Sequence, residues 1–385
     1  MSFKDNIFRQ ILQILPGYDF EKAVKLHKGE HAAKGFTCKD QLIAMLFAQL
    51  SGQTGLRGVE NGLQANNKSL YHLGVKSVKR STLSYANSKR SEKIFESLFN
   101  AMLAKTLDKN RNHKLRFKNP LYSVDATTID LCLSMYDWAH FRKKKGGIKL
   151  HVKLDNSGYI PSFVKVTPAK THEINVIKKM DFDKGDVVAF DRGYTDFDLF
   201  ANYCSKGIYF VTRLKSNADY RVCERKDVSK YPNITSDQTI EMKGFYTSRK
   251  CPLKLRRIIS KDPETGKCIV ILTNNFSWSA KTVAAVYKER WQIEIFFKAL
   301  KQNLKIKSFL GTSRNAVMIQ IWIAMIAYLL LWNLQYLSRK SWTIQSLMRL
   351  IPVVLFSDKN IYELLDDKPP DRRFKQEPVL QLELL

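Results

Sequence analysis

Residues 315 to 338, NAVMIQIWIAMIAYLLLWNLQYLS, carry no formal charge, and no other stretch restricts the fold as much. A helix of that length either crosses a bilayer or lies wholly inside a protein core. Asn315, Gln320, Asn333 and Gln335 interrupt it, and the sequence on either side is rich in charge. Both features favour a buried helix over a membrane span. At 385 residues the chain can supply the core such a helix needs, divided over two or three units. Its expected place is inside a large α/β core.

Lys and Arg number 64 against 36 Asp and Glu, a formal charge of +28. Self-repulsion of that size destabilises a compact chain unless a polyanion is near. Nucleic acid is therefore the expected partner, ahead of a membrane surface. The basic residues are spread through folded-looking sequence, which favours an extended binding surface. Cys38, Cys132, Cys204, Cys223, Cys251 and Cys268 form no C-x-x-C pair and no ordered spacing with histidine. A zinc site is not expected, and a reducing compartment fits best. Residues 1 to 14 alternate charged and apolar types, unlike a signal peptide, so the expected location is cytoplasmic.

Residues 1–115 read as all-helical. Within them HLGVKSVKRSTLSYANSKR, residues 72 to 90, has the outline of a helix-turn-helix, with Ser81 as N-cap of its second helix. Thr82, Ser84, Tyr85, Asn87, Lys89 and Arg90 would be the exposed members, joined by Arg80, and are types that bond to phosphates and base edges. An ordinary helical pair with a basic outer face reads equally well. At residue 121 the period changes. LYSVDATTIDLCL alternates like a strand and carries Asp125. A basic linker at 141–147 holds Lys143 and Lys144. Two β-rich runs then flank Asp155-Asn156-Ser157-Gly158, the signal of a hairpin. A helical piece around 173–180 precedes Val187-Val188-Ala189-Phe190, a short buried strand ending in Asp191-Arg192-Gly193-Tyr194. A helix at 196–205, a strand at 208–214 and a β-rich insertion at about 216–272 follow. The catalytic unit is expected to span 116–345, with a helical or loose tail over 346–385.

Residues 279 to 301, SAKTVAAVYKERWQIEIFFKALK, read as one long helix. At about 100° per residue, Tyr287, Arg290, Glu294 and Lys301 fall within roughly a 60° sector, with Lys298 beside it. Ile293, Phe296, Phe297 and Leu300 fill the adjoining, buried face. One wall thus offers an aromatic, several cations and a single carboxylate. An amphipathic helix with a solvated face gives the same pattern.

Three carboxylates stand out by position: Asp125 on the first strand, Asp191 at the end of the later buried strand, and Glu294 on this helix. If they converge they repel one another, unless they hold divalent cations. Mg²⁺ takes hard oxygen ligands from one or two carboxylates per ion, and two ions about 3.5–4 Å apart can serve an in-line displacement at phosphorus. Asp130, Asp137, Asp186, Asp196 and Asp198 are nearby alternatives, and a strand-end aspartate is often only a turn former or a helix cap. Asp130 lies an odd number of residues from Asp125 and so points to the opposite sheet face.

Tyr287-x2-Arg290-x3-Glu294-x6-Lys301 matches in full the Y-R-E-K signature of DDE transposases of the IS-four insertion-sequence type. VDATTI around Asp125 and FDRGYTDF around Asp191 resemble that family's two catalytic-aspartate segments. The stretch from Phe8 to Arg90 resembles the N-terminal DNA-binding domain of one branch. The resemblance implies an α/β fold with an RNase H-like mixed sheet core and a β-rich insertion, preceded by an all-helical DNA-binding domain. It implies Asp125, Asp191 and Glu294 as the catalytic, metal-binding triad for two Mg²⁺ ions, with Mn²⁺ able to substitute. Tyr287, Arg290 and Lys301 would grip the DNA backbone near the cut, with Lys298, Arg192, Lys143 and Lys144 as further contacts and Trp278 or Trp291 stacking an extruded base. Element ends would be cut, passed through a DNA hairpin and joined to target DNA by a homodimer bridging two ends. A catalytically silent DNA-binding derivative and a structure-specific nuclease on the same fold are the competing readings. The charge alone generates one test. Binding to duplex DNA should fall steeply as salt rises, because phosphate contacts release counterions. An affinity flat between 50 and 200 mM salt would contradict it.

Overall fold

The computed structural model describes residues 5–31, 33–75, 78–110, 119–142, 145–244, 249–263, 265–304, 306 and 308–367. In chain order, helices α1 (Ile7–Leu12), α2 (Gly17–Leu26), α3 (Cys38–Leu50), α4 (Leu56–Ala65), α5 (Asn67–Leu73), α6 (Arg80–Lys89) and α7 (Lys93–Asn110) precede the first strand. Strands β1 (Leu121–Leu131), β2 (His140–Arg142), β3 (Lys145–Asp155) and β4 (Ile160–Pro168) lead to the short helix α8 (Ile174–Ile177). Then come β5 (Val187–Phe190), α9 (Phe197–Lys206), β6 (Tyr209–Arg213), β7 (Tyr220–Lys226), β8 (Ile234–Met242), β9 (Leu255–Lys261) and β10 (Cys268–Thr273). Helices α10 (Ala280–Glu289), α11 (Gln292–Lys298), α12 (Arg314–Leu337), α13 (Ile344–Val354) and α14 (Ile361–Asp367) complete the chain. Contacts divide it into a helical unit, 1–106 with 299–385, and a sheet unit, 107–298.

The uncharged run forms α12, capped by Ser313 accepting from the Ala316 amide. Its apolar window is entirely buried. The polar residues that argued against a bilayer are each paired inside the helical unit. Asn315 donates to the Asn87 carbonyl at 2.8 Å, and Gln320 accepts from the Leu310 amide at 2.8 Å. Asn333 donates to the Leu329 carbonyl at 2.9 Å and Gln335 to the Trp342 carbonyl at 2.6 Å. The partners of Asn315, Gln320 and Gln335 come from outside the helix, so a packed core supplies what lipid could not and avoids the cost of burying these groups bare. The sequence reading assigned this helix to a domain running to residue 345. In the structure it packs instead with α3, α6 and α13 of the helical unit. An apolar run records that it needs a core but not whose core it is.

The sheet unit is built on one mixed sheet, ordered β2-β3-β1-β5-β6-β10-β9-β8-β7, with β4 also paired to β3. β1, β5 and β6 run parallel, and the remaining pairings are antiparallel. The predicted insertion is therefore strands β7 to β10, which prolong the sheet past β6. The hairpin turn forms where expected, with Asp155 Oδ1 accepting from the Ser157 amide at 2.8 Å. Alternation along the strands sorts two apolar layers. Val124, Val188, Phe190 and Phe210 face one side and pack with α8 and α9 residues such as Val176 and Phe200. Leu121, Val187, Ala189 and Val211 face the other and pack with Val283, Val286 and Tyr287 of α10.

The long helix expected over 279–301 is broken. α10 is capped by Ser279, whose side chain accepts from the Thr282 amide, and stops at Glu289. Arg290 and Trp291 form a tight turn in which the amides of Arg290, Trp291, Ile293 and Glu294 each bond three residues back. α11 follows, and residues 299–303 relax into a π-helical turn. The stop has a partner from far upstream: Asn156, buried in the hairpin turn, donates from Nδ2 to the Glu289 carbonyl at 3.1 Å.

The start of α10 is tied to the insertion by one buried guanidinium. Arg256 on β9 donates to both carboxylate oxygens of Asp237 on β8, at 2.9 and 2.6 Å, and to the carbonyls of Asn275 and Trp278 at 3.3 and 2.6 Å. Asp237 and Arg256 are 5% and 3% exposed, so removing one leaves an uncompensated charge. Arg256→Met should destabilise the protein by about 3–5 kcal/mol in urea denaturation. Adding Asp237→Leu to that variant should recover most of the loss.

Candidate active site

The parity of the sheet decides which acids can meet. Asp125 shares its face with Leu121 and Ser123, and Asp191 continues the face of Val187 and Ala189, so both point toward the α10–α11 side. Register brings them together: Val124 pairs with Phe190 as the parallel β1–β5 ladder ends, which makes Asp125 and Asp191 the next neighbours along it. α11 packs against β1 and delivers Glu294 to the same side.

Between Asp125 and Glu294 sits Arg290. Its Nη2 donates to Glu294 Oε1 at 2.6 Å, and its Nη1 lies 3.9 Å from Asp125 Oδ2. The guanidinium is buried and stands 5.6 Å from the centre of the Tyr287 ring. Burial works against its charge, but Tyr287, Glu294 and Asp125 together outweigh burial and hold it protonated. Arg290 and Glu294 are four residues apart, the spacing at which helical side chains meet. Asp125 Oδ1 accepts from the Ala126 amide at 2.8 Å. Asp191 caps the short turn Arg192–Tyr194, its Oδ1 accepting from the Gly193 amide.

The remaining expectations separate clearly. Asp130 is exposed; Asp196 caps α9; Asp186 accepts from the Asp183 amide; Asp198 pairs with Lys250 at the surface; Asp137 opens a 3₁₀ turn. Lys298 and Arg192 are exposed beside the sheet unit's acids in sequence, while Lys301 belongs to the helical unit. Lys143 and Lys144 lie outside the described residues. On α6, Arg80, Thr82, Ser84, Tyr85 and Lys89 are exposed. Asn87 and Arg90 are not available as the helix-turn-helix reading required. Asn87 is 2% exposed and accepts from Gln41 Nε2 at 2.8 Å. Arg90 is drawn inward, donating to the Thr37 carbonyl at 2.8 Å and to the Phe36 carbonyl, and stacking over the Phe36 ring.

One cation escaped the sequence reading. Arg213 ends β6 on the parity of Val211, the same face as Asp125 and Asp191, and its charge acts on Tyr287. A basic residue at the end of a buried strand, two after an apolar one, was the available signal.

Among the described residues no three His, Cys, Asp or Glu side chains close into a single-ion cage. The donor set nonetheless suits hard cations that take one or two carboxylates each, since the acids share one electrostatic neighbourhood. Burial pushes Asp125 up to about 7; Arg290 and the Ala126 amide oppose the rise, and Asp191 and Glu294 add to it. A folded value above the unfolded one near 3.9 means that this carboxyl stabilises the fold fully below about pH 4 and ceases to as pH rises through about 7. In metal-free buffer Asp125→Asn should therefore raise stability at pH 8, by on the order of 1 kcal/mol or more. The gain should shrink as pH falls toward 4 in chemical denaturation, and a gain that grew on acidification would contradict this account.

The family model described as Transposase DDE domain matches residues 116–330, and one described as Domain of unknown function (DUF4372) matches residues 4–76. "Putative transposase y4zB" of Sinorhizobium fredii is 32% identical over 292 residues, 75% of this chain and 80% of the relative. "Probable transposase for insertion sequence element IS5377" of Geobacillus stearothermophilus is 29% identical over 63% of this chain and 65% of the relative. Among solved structures, the piggyBac transposase in a synaptic complex with hairpin DNA aligns over 97% of this chain and 82% of its own, with a TM-score of 0.45 and 12% identity. The domain match takes in the strand of Asp125, the turn of Asp191 and the helix of Glu294, and covers more than half of the sequence: the chain belongs to the DDE transposases.

Proposed function

We propose that this transposase cuts the ends of an insertion sequence and joins them to target DNA by phosphoryl transfer at Asp125, Asp191 and Glu294. The observation that carries the reading is that carboxylates from β1, the end of β5 and α11 act on one another on one side of the sheet, with a buried arginine between two of them. The order β3-β1-β5-β6, with three parallel strands at its centre, is what an RNase H-like core with a later β insertion would have.

Two divalent cations, Mg²⁺ or Mn²⁺, held by these three acids would supply the Lewis acidity for in-line displacement at phosphorus. The rest is done by the chain. Asp125 and Asp191 are fixed by backbone amides, so their outer oxygens keep one direction. Arg290 screens the acids from one another and is placed to pass to a phosphate oxygen, where a planar guanidinium bonds bidentately. Tyr287 and Arg213 stand on the same side, and Arg192 and Lys298 extend the basic lining for the DNA backbone, while Lys301, Lys143 and Lys144 are assigned to DNA on the sequence alone. Arg80, Thr82, Ser84, Tyr85 and Lys89 are exposed on α6, which itself carries no acid and suits contact with the element end, and a homodimer would bring two ends together.

The test uses Glu294→Gln. Cutting of end-containing duplex in Mg²⁺ should be abolished, while binding to that duplex without metal stays within about twofold. Normal cutting by the variant would end the assignment. Cutting by the unaltered protein with no joined product would leave a structure-specific nuclease.

A further inference from the structure

Helix α6 has few apolar anchors. It is 10 residues long, too short to be stable by itself, so its place is set by what it packs on. Its buried residues are Leu83, Ala86 and Asn87. Apolar contact has no direction, and two such side chains alone would fix the rotation of a helix about its axis only weakly.

Directional bonds fix it instead, and they come from other parts of the helical unit. At the start of α6, where no side chain of its own caps it, Glu60 of α4 accepts from the Arg80 amide at 3.2 Å. At its end, Gln41 of α3 donates to Asn87 Oδ1 at 2.8 Å. Asn315, the second residue of α12, makes three bonds at that same end. Its Nδ2 donates to the carbonyls of Asn87 and Arg90 at 2.8 and 2.5 Å, and its Oδ1 accepts from the Glu92 amide at 3.2 Å. Both donors and the oxygen of this one amide are therefore engaged at the corner between α6 and α7. The last carbonyls of a helix have no partner within it, and here a side chain from far downstream supplies one. Arg314 beside it lies 3.5 Å from Glu92 Oε1.

We propose that Asn315 is a positioning residue for recognition of the element end: it sets the rotation of α6, and so the direction in which Arg80, Thr82, Ser84, Tyr85 and Lys89 meet DNA. Successive side chains stand about 100° apart, so a modest turn of the helix takes one off a base edge. Lysine and arginine can still reach phosphate after such a turn, because backbone contacts carry no sequence information. Loss of Asn315 therefore lowers discrimination between sequences more than affinity for DNA as such. The end-binding unit is then built from both arms of the chain, since α6 precedes the sheet unit and α12 follows it. The proposal rests on the reading of α6 as the helix that contacts the element end.

The experiment measures binding of the full chain to two duplexes in metal-free buffer. One carries the DNA that borders the coding sequence at one end of its element, and the other holds the same bases in shuffled order. Asn315→Asp keeps the size of the side chain and puts an anion at the start of α12, where the helix dipole favours it, but removes both donors. Its ratio of affinities should fall by roughly tenfold, while binding to the shuffled duplex changes far less. Asn315→Ala, which adds no charge, should lower the ratio in the same way. Gln320→Leu is the structural control. On the same helix, Gln320 accepts from the Leu310 amide at 2.8 Å and donates to the Ser308 carbonyl at 2.9 Å, so its loss should lower the thermal midpoint without moving the ratio. Thr82→Ala combined with Tyr85→Ala tests the underlying reading. If that pair leaves the ratio unchanged, α6 does not read the end and the proposal falls with it. If the pair lowers the ratio while both Asn315 variants keep it, the reading stands and the proposal alone falls. An equal loss in Gln320→Leu, or failure of both Asn315 variants to fold, would also overturn it, because the residue would then support the whole unit and not the direction of one helix.

Discussion

Mutual repulsion among acids is the constraint from which the sheet unit follows. Asp125 and Asp191 are brought side by side by parallel pairing of β1 and β5, and α11 adds Glu294 to the same side. Without a counter-charge, carboxylates so close would draw protons or drive the elements apart. Arg290 answers in the metal-free chain: it bonds Glu294, approaches Asp125, and is kept charged by both despite burial. Burial is the first cause of the rise of Asp125 to about 7, with Arg290 opposing it and Asp191 and Glu294 adding to it. Acids gathered around a single guanidinium give up stability locally, as functional sites commonly do.

The position of Arg290 depends in turn on where α10 ends. An unbroken helix would keep Tyr287, Arg290 and Glu294 in one stripe, as the wheel drawn from sequence has them. The tight turn at Arg290–Trp291 alters that stripe, and Asn156 from the hairpin holds the carbonyl at which α10 stops. Nothing within 279–301 announces the break, since no Gly or Pro marks it. A side chain from the distant hairpin bonds the carbonyl where the helix stops, and local periodicity cannot contain information of that kind.

The same division between local and distant causes runs through the rest of the molecule. Strand alternation placed Asp125, excluded Asp130 from its face and marked the strand ending at Asp191, because the period of two is a property of the strand itself. The need to bury residues 315–338 was equally plain, but their hosts are helices α3, α6 and α13, which no reading of the run could name. On α6 the sequence proposed an outer face, and Asn87 and Arg90 failed it because Gln41, Phe36 and Thr37 claim them. Arg213 was overlooked for the opposite reason: its strand was read for its apolar residues, and its last residue was not asked which face it shared.

The insertion has a consequence beyond lengthening the sheet. Arg256 on β9 gathers Asp237 from β8 and two carbonyls from the segment that begins α10. Asn275 reinforces that segment by accepting from the amides of Ser277 and Trp278. Helix α10 is therefore fixed at its start by the insertion and at its end by the β3–β4 hairpin, which flank opposite sides of the sheet's centre. A helix held at both ends by separate antiparallel arms has little freedom to rotate. That matters because a small rotation would carry Arg290 away from Asp125 and leave the acids to repel unopposed. The strands of the insertion and of the hairpin thus hold in place the helix whose end brings Arg290 to Asp125 and Glu294.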